Sequence, residues 1–447
     1  MHIYKYFCTF AAGFSEIDRR FVKIKGIHQT ELVRNSARLL SANVVAQAIG
    51  ILVYPVLTRI YHADDFGLLN LFMSIGGIGV IIATAGYHDA IVLPKDDARS
   101  RSLLHVCGAC GLAMMALLIL TIPFSKPIAS LFEAPQLAQW WWLMPLYVGG
   151  LGVWNAVNNY YMRHKAFRRI SVYQMSQSVL NAGSKLGLGA AGWLSGGLIV
   201  SSVIAPIAAI GISCLRGGRL LFADLFRIDR SQMRSVAHEY RNFPCYSLPR
   251  SMVNMLGSNL PVLLLTPVFG LTEIGFFGMA LTLSLRPLQI IIQSVYQVLY
   301  QRTAQCVNDG QRIGALLFGF MRRTAWILLP CFALLYWVLP WMTEVLLGDA
   351  WRVCGEYIRL LLPWLLVMTI VAPVGFITDV FGKQKIAFGI EIVYTVLRIG
   401  ALLIGIALRD FRLTLLLFAL ASAAVIVGQM IWYAVLIRRH DRSITES

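Results

Sequence analysis

Residues 57–69 read LTRIYHADDFGLL, and residues 265–277 read LTPVFGLTEIGFF. The two stretches align without gaps when residue 57 is placed on residue 265. The Leu, Thr and Gly positions are then identical, an acidic position is kept, and aromatic and aliphatic positions are similar. Each copy ends one apolar segment and begins the next. The chain is therefore predicted to contain two copies of a repeat built from several apolar segments.

The composition excludes a water-soluble fold. Of the 447 residues, 57% are apolar and only 14% are charged, against about 45–50% and about 25% in soluble domains. The mean hydropathy is +0.67. A disordered protein, a disulfide-stapled secreted domain and a cytosolic enzyme all need more polar surface than this chain supplies. We therefore predict an all-α, polytopic membrane protein.

Apolar runs between charged residues, prolines and glycines predict about twelve transmembrane helices, called spans 1 to 12 below. Spans 1 to 6 are expected at 39–60, 68–92, 102–122, 140–162, 172–192 and 196–215. Spans 7 to 12 are expected at 243–268, 274–300, 317–340, 357–380, 385–408 and 412–437. Span 1 then corresponds to span 7, which predicts two parallel six-helix lobes related by an axis normal to the membrane.

The same pattern divides the chain into five parts. They are an N-terminal segment at 1–38, an N-lobe at 39–215, an inter-lobe loop at 216–242, a C-lobe at 243–437 and a tail at 438–447. Most of the 39 Lys and Arg residues fall on the side of the membrane that holds the segment, the loop and the tail. The positive-inside rule therefore predicts that both termini are cytoplasmic. The net charge of +17 reflects this orientation and attraction to anionic lipid, not nucleic-acid binding.

Three groups of residues resemble a known family. The stretch 57–67, the block 274–301 and residues 87–91 are similar to motifs of bacterial polysaccharide transporters, the O-antigen flippase group. That family lies in the multidrug/oligosaccharidyl-lipid/polysaccharide exporter superfamily, beside multidrug antiporters and the peptidoglycan-precursor flippase. The resemblance covers about residues 34–437. The chain departs from the pattern at Thr282, where many relatives are expected to carry a basic residue.

The resemblance implies a flippase rather than an enzyme. Such a protein moves an undecaprenyl-pyrophosphate-linked oligosaccharide, the repeat unit of O-antigen, capsule or exopolysaccharide, between leaflets of the bacterial inner membrane. Movement is from the cytoplasmic to the periplasmic leaflet, by alternating access. No catalytic residue, metal or cofactor is expected, and H⁺ or Na⁺ is the candidate coupling ion. The expected partners are the lipid-linked glycan, membrane lipids and other polysaccharide assembly proteins, with no nucleic acid.

Four basic side chains are predicted to lie inside spans. A pyrophosphate needs fixed positive charge in a hydrated cleft, and a charge within the membrane is costly unless it faces water or protein. Arginine is especially suited to phosphate because its planar fork binds two oxygens. A structural ion pair is the alternative, or, for a base near a span end, a side chain that reaches the membrane surface. The candidates for one central cationic cavity are Lys185, Arg250, Arg286 and Arg398.

Other polar residues in the spans have two interpretations each. Asn155, Asn158 and Asn159 in span 4 are candidates for hydrogen bonds to sugar hydroxyls, or for hydrogen bonds that join helices. Glu391 and Asp89 are candidates for ion coupling. The alternative for Asp89, which is close to the end of span 2, is contact with interfacial water.

Two other functions are weighed against the flippase. A drug or metabolite antiporter of the same superfamily favours buried acids for organic cations, whereas bases outnumber acids at the membrane centre here. A membrane glycosyltransferase or polysaccharide polymerase tends to carry a large outer loop, whereas the longest predicted outer loops are only 123–139 and 341–356. The sequence also has no nucleotide-binding motif, metal-ligand cluster or nucleophile–histidine arrangement. The flippase is therefore the leading prediction.

Overall fold

The computed structural model describes residues 43–215 and 229–446. The predicted N-terminal segment 1–38 and the first part of the inter-lobe loop lie outside the described residues. Within the described ranges the chain is almost entirely helical and contains no strand. The all-α prediction is therefore confirmed.

Six long helices carry spans 1 to 6. Their bounds are Asn43–Ile60, Ala63–Ala83, Asp97–Leu120, Met144–Arg163, Phe167–Ala190 and Leu194–Leu215. Span 2 ends earlier than predicted, because Ala85 and Gly86 adopt left-handed φ angles of 48° and 75° that the helix cannot continue through. Asp89 consequently lies in a separate short helix, Tyr87–Ala90, and the prediction that it belongs to span 2 is wrong.

Spans 7 and 8 form one helical run, Leu248–Asn308, which is broken at Gly270. Gly270 has φ 83° and ψ 173°, a backbone conformation that residues with a side chain rarely adopt. A single glycine therefore separates the two spans. Spans 9 to 12 follow at Gly314–Leu347, Arg352–Val371, Gln384–Leu408 and Phe411–Glu446.

Nine helical segments within the described ranges are long and apolar enough to cross a membrane. One of the nine contains the whole Leu248–Asn308 run, and therefore both span 7 and span 8. Spans 4 and 5 are not among the nine, because amides and other polar side chains lower their hydropathy. The prediction of a polytopic membrane protein is confirmed. The count of twelve spans and the lobe boundaries stay predictions.

The two repeat stretches pack against each other where span 1 joins span 2 and span 7 joins span 8. This end of the molecule is called the Gly270 face below. A methyl group on Gly67 would overlap the carbonyl group of Leu271, and one on Gly275 would overlap the carbonyl group of Ala63. In the repeat alignment Gly67 corresponds to Gly275, and Ala63 to Leu271, so the two contacts are reciprocal, as at a twofold axis. Spans 2 and 8 therefore meet backbone to backbone at this face.

Trp351 fills the space beside this contact. Its ring packs edge-on against Phe66 of span 2 and Phe276 of span 8, with centroid distances of 5.3 and 5.4 Å. Its indole nitrogen donates a hydrogen bond to the carbonyl oxygen of Thr58 at 3.2 Å. One continuous hydrophobic core therefore joins the two halves, and the Gly270 face is closed in this structure.

Candidate substrate cavity

Lys185 and Arg286 line the same cavity, although they belong to different halves of the chain. The cavity has a volume of about 280 Å³ and lies between spans 1 and 5, with Arg286 entering from span 8. The guanidinium group of Arg286 lies against span 1, because a methyl group placed on Gly50 would be 3.2 Å from its Nη1. The geometry thus brings together two of the four predicted bases, and their role in binding substrate stays a prediction.

Contacts between spans 1 and 5 determine which face of span 5 is turned to the cavity. The Tyr61 hydroxyl donates a hydrogen bond to the carbonyl oxygen of Lys185 at 2.6 Å. The same ring occupies the space beside Gly189, where a side chain would overlap it. Farther along, the Ser178 hydroxyl donates to the carbonyl oxygen of Ala46 at 2.6 Å. These contacts fix the rotation of span 5 that points Lys185 towards the cavity.

The cavity carries positive charge without a compensating carboxylate. No described residue that lines it is Asp or Glu, and neither Lys185 nor Arg286 forms an ion pair within the described ranges. The other polar side chains are neutral. They are Asn43, Gln47, Tyr54, Gln174, Gln177, Ser178 and Asn181. A site of this composition attracts an anion and surrounds it with neutral hydrogen-bonding groups.

The amides of span 5 were not among the residues predicted from the sequence. Gln174, Gln177 and Asn181 line the cavity on the same helix face as Lys185, because residues three or four apart are neighbours on a helix. That spacing was visible in the sequence. The low hydropathy of span 5 was a second signal, since a polar stripe within a membrane helix must face water or protein.

The amides that the sequence analysis did select lie elsewhere. Asn155, Asn158 and Asn159 of span 4 do not line this cavity. The side-chain amide of Asn159 donates a hydrogen bond to the backbone carbonyl oxygen of Asn155 at 3.1 Å, within its own helix. Span 4 packs on span 5 through Trp154, whose ring stacks on Tyr173 with a centroid distance of 3.2 Å. The span 4 amides therefore lie apart from Lys185 and Arg286, and both interpretations of them stay predictions.

Arg398 lies in an aromatic cage in the second half. Its Cζ is 4.4 Å from the ring centroid of Phe418, 4.8 Å from that of Tyr394 and 5.8 Å from that of Trp364. The Nε atom is buried and has no hydrogen-bond partner. Because span 11 turns this side chain towards spans 10 and 12, Arg398 does not line the cavity of Lys185. Its predicted role in binding substrate is not tested by this placement.

Arg250 is also separate from that cavity. It lies about two turns into the helical segment Phe243–Asn308, in the part far from Gly270, and it is exposed. A long basic side chain this close to a helix end can extend to the aqueous interface. This position favours the alternative interpretation, that Arg250 extends to the membrane surface.

The two acidic candidates occupy different surroundings. Glu391 lines a second cavity of about 190 Å³ between spans 10, 11 and 12, in which the Gln429 side chain donates a hydrogen bond to the Tyr433 hydroxyl at 2.8 Å. Asp89 lines neither cavity, and its side chain is 53% exposed. Its carboxylate lies 3.4 Å from the His88 ring, whose pKa is lowered by burial against the opposing effect of Asp89. Of these two acids, Glu391 is therefore the one that lines a cavity.

The chain matches a family of known proteins over most of its length. Residues 56–356 match the family described as polysaccharide biosynthesis protein. The chain belongs to this family. The succinoglycan biosynthesis transport protein ExoT of Rhizobium meliloti is similar to this polysaccharide biosynthesis protein, with 23% identity over 319 residues. The match covers 69% of this chain and 60% of that relative, so the chain spans less than two thirds of the relative's length.

The fold of this polysaccharide biosynthesis protein is that of known transporters. It is similar to the lipid II flippase MurJ in an inward closed conformation, with a TM-score of 0.68 and 12% identity over 91% of this chain and 90% of that one. It is also similar to a multidrug resistance MATE family transporter of the MOP superfamily in an inward-facing conformation. There the TM-score is 0.66 with 13% identity, over 90% of this chain and 99% of that one. The family match therefore gives the membership of this chain, and the likeness to these two structures gives its fold.

Proposed function

We propose that this protein is a flippase for undecaprenyl-pyrophosphate-linked oligosaccharides, the repeat units of O-antigen, capsule or exopolysaccharide. It moves them from the cytoplasmic to the periplasmic leaflet of the bacterial inner membrane. The observation that carries this proposal is the cavity lined by Lys185 and Arg286, in which no described lining residue is a carboxylate. Its partners are the lipid-linked glycan, the surrounding lipids and other proteins of polysaccharide assembly.

The charge of the cavity fits the most anionic part of this substrate. Arg286 supplies a planar fork that can bind two phosphate oxygens at once, and Lys185 supplies three further N–H donors. Burial strengthens these charge-assisted hydrogen bonds relative to water. An antiporter for organic cations favours buried acids, and no described lining residue is one, so the cavity favours the flippase over that alternative.

The two bases belong to different halves, which suggests how binding is linked to movement. Without an anion, the like charges of Lys185 and Arg286 repel each other across the cavity. A pyrophosphate placed between them reverses this repulsion and stabilises the arrangement that encloses it. Alternating access then consists of a rocking of the halves that opens the contacts of Gly67 and Gly275 at the Gly270 face and closes the opposite end.

The orientation follows from the predicted position of the termini. With both termini in the cytoplasm, the Gly270 face lies in the periplasm. Asp349 lies beside the turn at Gly348 that precedes span 10. A cysteine introduced there should then be labelled by a membrane-impermeant maleimide in cells whose outer membrane alone has been permeabilised. Labelling only after the inner membrane is opened would reverse the orientation.

Energy coupling is assigned to a different place. We place the candidate H⁺ or Na⁺ site at Glu391, in the second cavity. The anion site and this acid are then separate, so that the coupling ion and the lipid-linked substrate do not compete for one position. No cofactor is needed for this cycle.

Complementation of a deletion in the protein's own host tests the function. Wild type should restore surface polysaccharide, whereas Arg286→Gln and Lys185→Gln should lower it at least about tenfold, since a charged hydrogen bond contributes about 1.5–3 kcal/mol. Arg250→Gln is the matched control, because this exposed base lies outside the cavity. All variants are compared at equal membrane levels.

Two results would contradict the proposal at different levels. A deletion strain that keeps normal surface polysaccharide and accumulates no lipid-linked precursor would exclude the flippase function. If both cavity variants keep full activity, the flippase function stands, but this cavity is not its anion-binding site.

A further inference from the structure

Five side-chain amides line the cavity that holds Lys185 and Arg286. Three of them, Gln174, Gln177 and Asn181, follow one face of span 5 and end at Lys185. From residue 174 to residue 185 this stripe rises about 16 Å along the helix. The other two, Asn43 and Gln47, face it from span 1. The cavity is thus lined on span 5 by a neutral amide stripe that ends at Lys185, while Arg286 reaches span 1 at Gly50.

The amides on the two sides differ in their hydrogen bonding. On span 1, the Gln47 side chain donates to the Asn43 side-chain oxygen at 3.2 Å, so this pair is partly satisfied. On span 5, the side-chain oxygens of Gln174 and Asn181 are buried and have no hydrogen-bond partner. Buried polar atoms in proteins nearly always have a partner. Two unsatisfied acceptors on one helix face, both on residues that line a cavity, indicate a ligand that donates hydrogen bonds.

The chemistry of the atoms determines which part of a lipid-linked glycan fits here. A pyrophosphate has oxygen acceptors and no donors, so in either amide orientation it pairs only with the N–H groups of Gln174 and Asn181 and leaves their oxygens unpaired. Sugar hydroxyls both donate and accept, and a side-chain amide does the same with its N–H and C=O groups. Amides at successive turns of a helix therefore match a row of hydroxyls, while the charged end of the stripe matches the phosphates.

We infer that Gln174, Gln177 and Asn181 of span 5 form a sugar-binding subsite, which holds neutral sugar residues next to the pyrophosphate bound by Lys185 and Arg286. This inference rests on the proposed function and adds to it the part of the substrate that selects the glycan. The sugar contacts come from the first half of the chain alone, whereas the anion contacts come from both halves. Glycan preference is therefore set by span 5, and binding of the charged group is common to all substrates.

Comparison of two ligands tests the subsite separately from the anion site. Full-length protein in lipid nanodiscs is titrated with undecaprenyl pyrophosphate and with the same lipid carrying the host's repeat-unit oligosaccharide. Wild type should bind the glycosylated lipid more tightly. Gln174→Leu and Asn181→Leu should weaken binding of the glycosylated lipid about tenfold each and leave binding of the sugar-free lipid unchanged. Arg286→Gln should weaken binding of both ligands.

Two controls keep the result interpretable. Asn259→Leu removes an amide of span 7 that lines neither cavity and donates within its own helix, and it should change neither affinity. The leucine variants remove unsatisfied oxygens, so their thermal unfolding temperature should equal or exceed that of wild type, and this measurement excludes misfolding.

Each outcome has a distinct meaning. If Gln174→Leu and Asn181→Leu bind both ligands as wild type does, or lose both equally, the sugar subsite is wrong while the anion site stands. If wild type binds neither lipid, the proposed function itself fails.

Discussion

Thr272, at the start of span 8, donates a hydrogen bond from its hydroxyl to the carboxylate of Asp64, at the start of span 2. These residues are 208 positions apart, the shift that aligns the two repeat stretches, so they occupy equivalent positions in the two copies. In a structure with a twofold axis, equivalent residues touch each other only beside that axis. The hydrogen bond therefore marks where the pseudo-twofold axis crosses the Gly270 face.

The glycines beside this axis should be needed for closure of the Gly270 face. Gly67→Ala and Gly275→Ala each place a methyl group on a carbonyl of the opposite helix, which cannot move aside as a side chain can. We expect each to destabilise the closed form by about 1–3 kcal/mol, the usual cost of overpacking. The measurement is maleimide labelling of Thr266→Cys, a position in span 7 that is buried in the closed form, and labelling should be faster in either glycine variant.

Gly389→Ala is the matched control for these substitutions, since no atom lies within 4 Å of a methyl group at that position. It should leave the labelling rate unchanged. Equal labelling rates in Gly275→Ala and Gly389→Ala would show that the backbone contact is not what closes this face.

The sequence predicted the fold well because lipid imposes a simple rule. A helix that crosses a membrane must be apolar over about 20 residues, and this pattern can be recognised without tertiary information. The repeat could also be recognised from the sequence, because the same backbone contact requires a glycine in both copies, where a larger residue would clash. The break of the Leu248–Asn308 run at a single glycine was less evident, because one residue leaves almost no gap in hydropathy.

The candidate site was predicted only in part, because it depends on helix rotation. Hydropathy places Lys185, Arg286 and Arg398 at similar depths, but it does not say which neighbour each one faces. Contacts made by Tyr61 turn Lys185 into the cavity, whereas three aromatic rings enclose Arg398. Such contacts join distant parts of the chain, and no local pattern encodes them.

Arg398 should contribute to stability and not to anion binding. Replacing it by Met removes the cation–π contacts with Phe418, Tyr394 and Trp364, which are worth about 2 kcal/mol for a desolvated cation. We expect a lower thermal unfolding temperature in detergent and an unchanged affinity for undecaprenyl pyrophosphate. Arg398→Lys should recover part of the stability, since it keeps the charge. A loss of affinity in Arg398→Met at an unchanged unfolding temperature would instead place Arg398 in the substrate pathway.

The position of the Arg286 guanidinium can be tested without altering its charge. A methyl group on Gly50 lies 3.2 Å from Nη1, so the larger Gly50→Val should displace this group from the cavity. We expect several-fold weaker binding of undecaprenyl pyrophosphate, caused by faster dissociation of the bound lipid. Gly183→Val, in span 5, is the control, because it has open space around it. Equal affinity of the two variants would mean that the guanidinium binds the anion from another position.

Glu391 should determine the response to an ion gradient while leaving substrate binding intact. Its cavity lies in the second half, among spans 10 to 12, and shares no lining residue with the cavity of Lys185 and Arg286. Glu391→Gln keeps the shape and the hydrogen-bonding capacity of the side chain but cannot take up or release a proton. In proteoliposomes, wild-type transport should therefore rise with an imposed H⁺ or Na⁺ gradient, and Glu391→Gln should transport at one rate with or without it.

Asp89→Asn is the matched control for this acid, because that half-exposed carboxylate lies outside both cavities. It should retain the dependence on the gradient. If Glu391→Gln still responds as wild type does while Asp89→Asn does not, coupling belongs to the first half of the chain, beside His88. The ion would then act on the half that carries Lys185. The proposal that substrate and ion bind in separate cavities would be wrong.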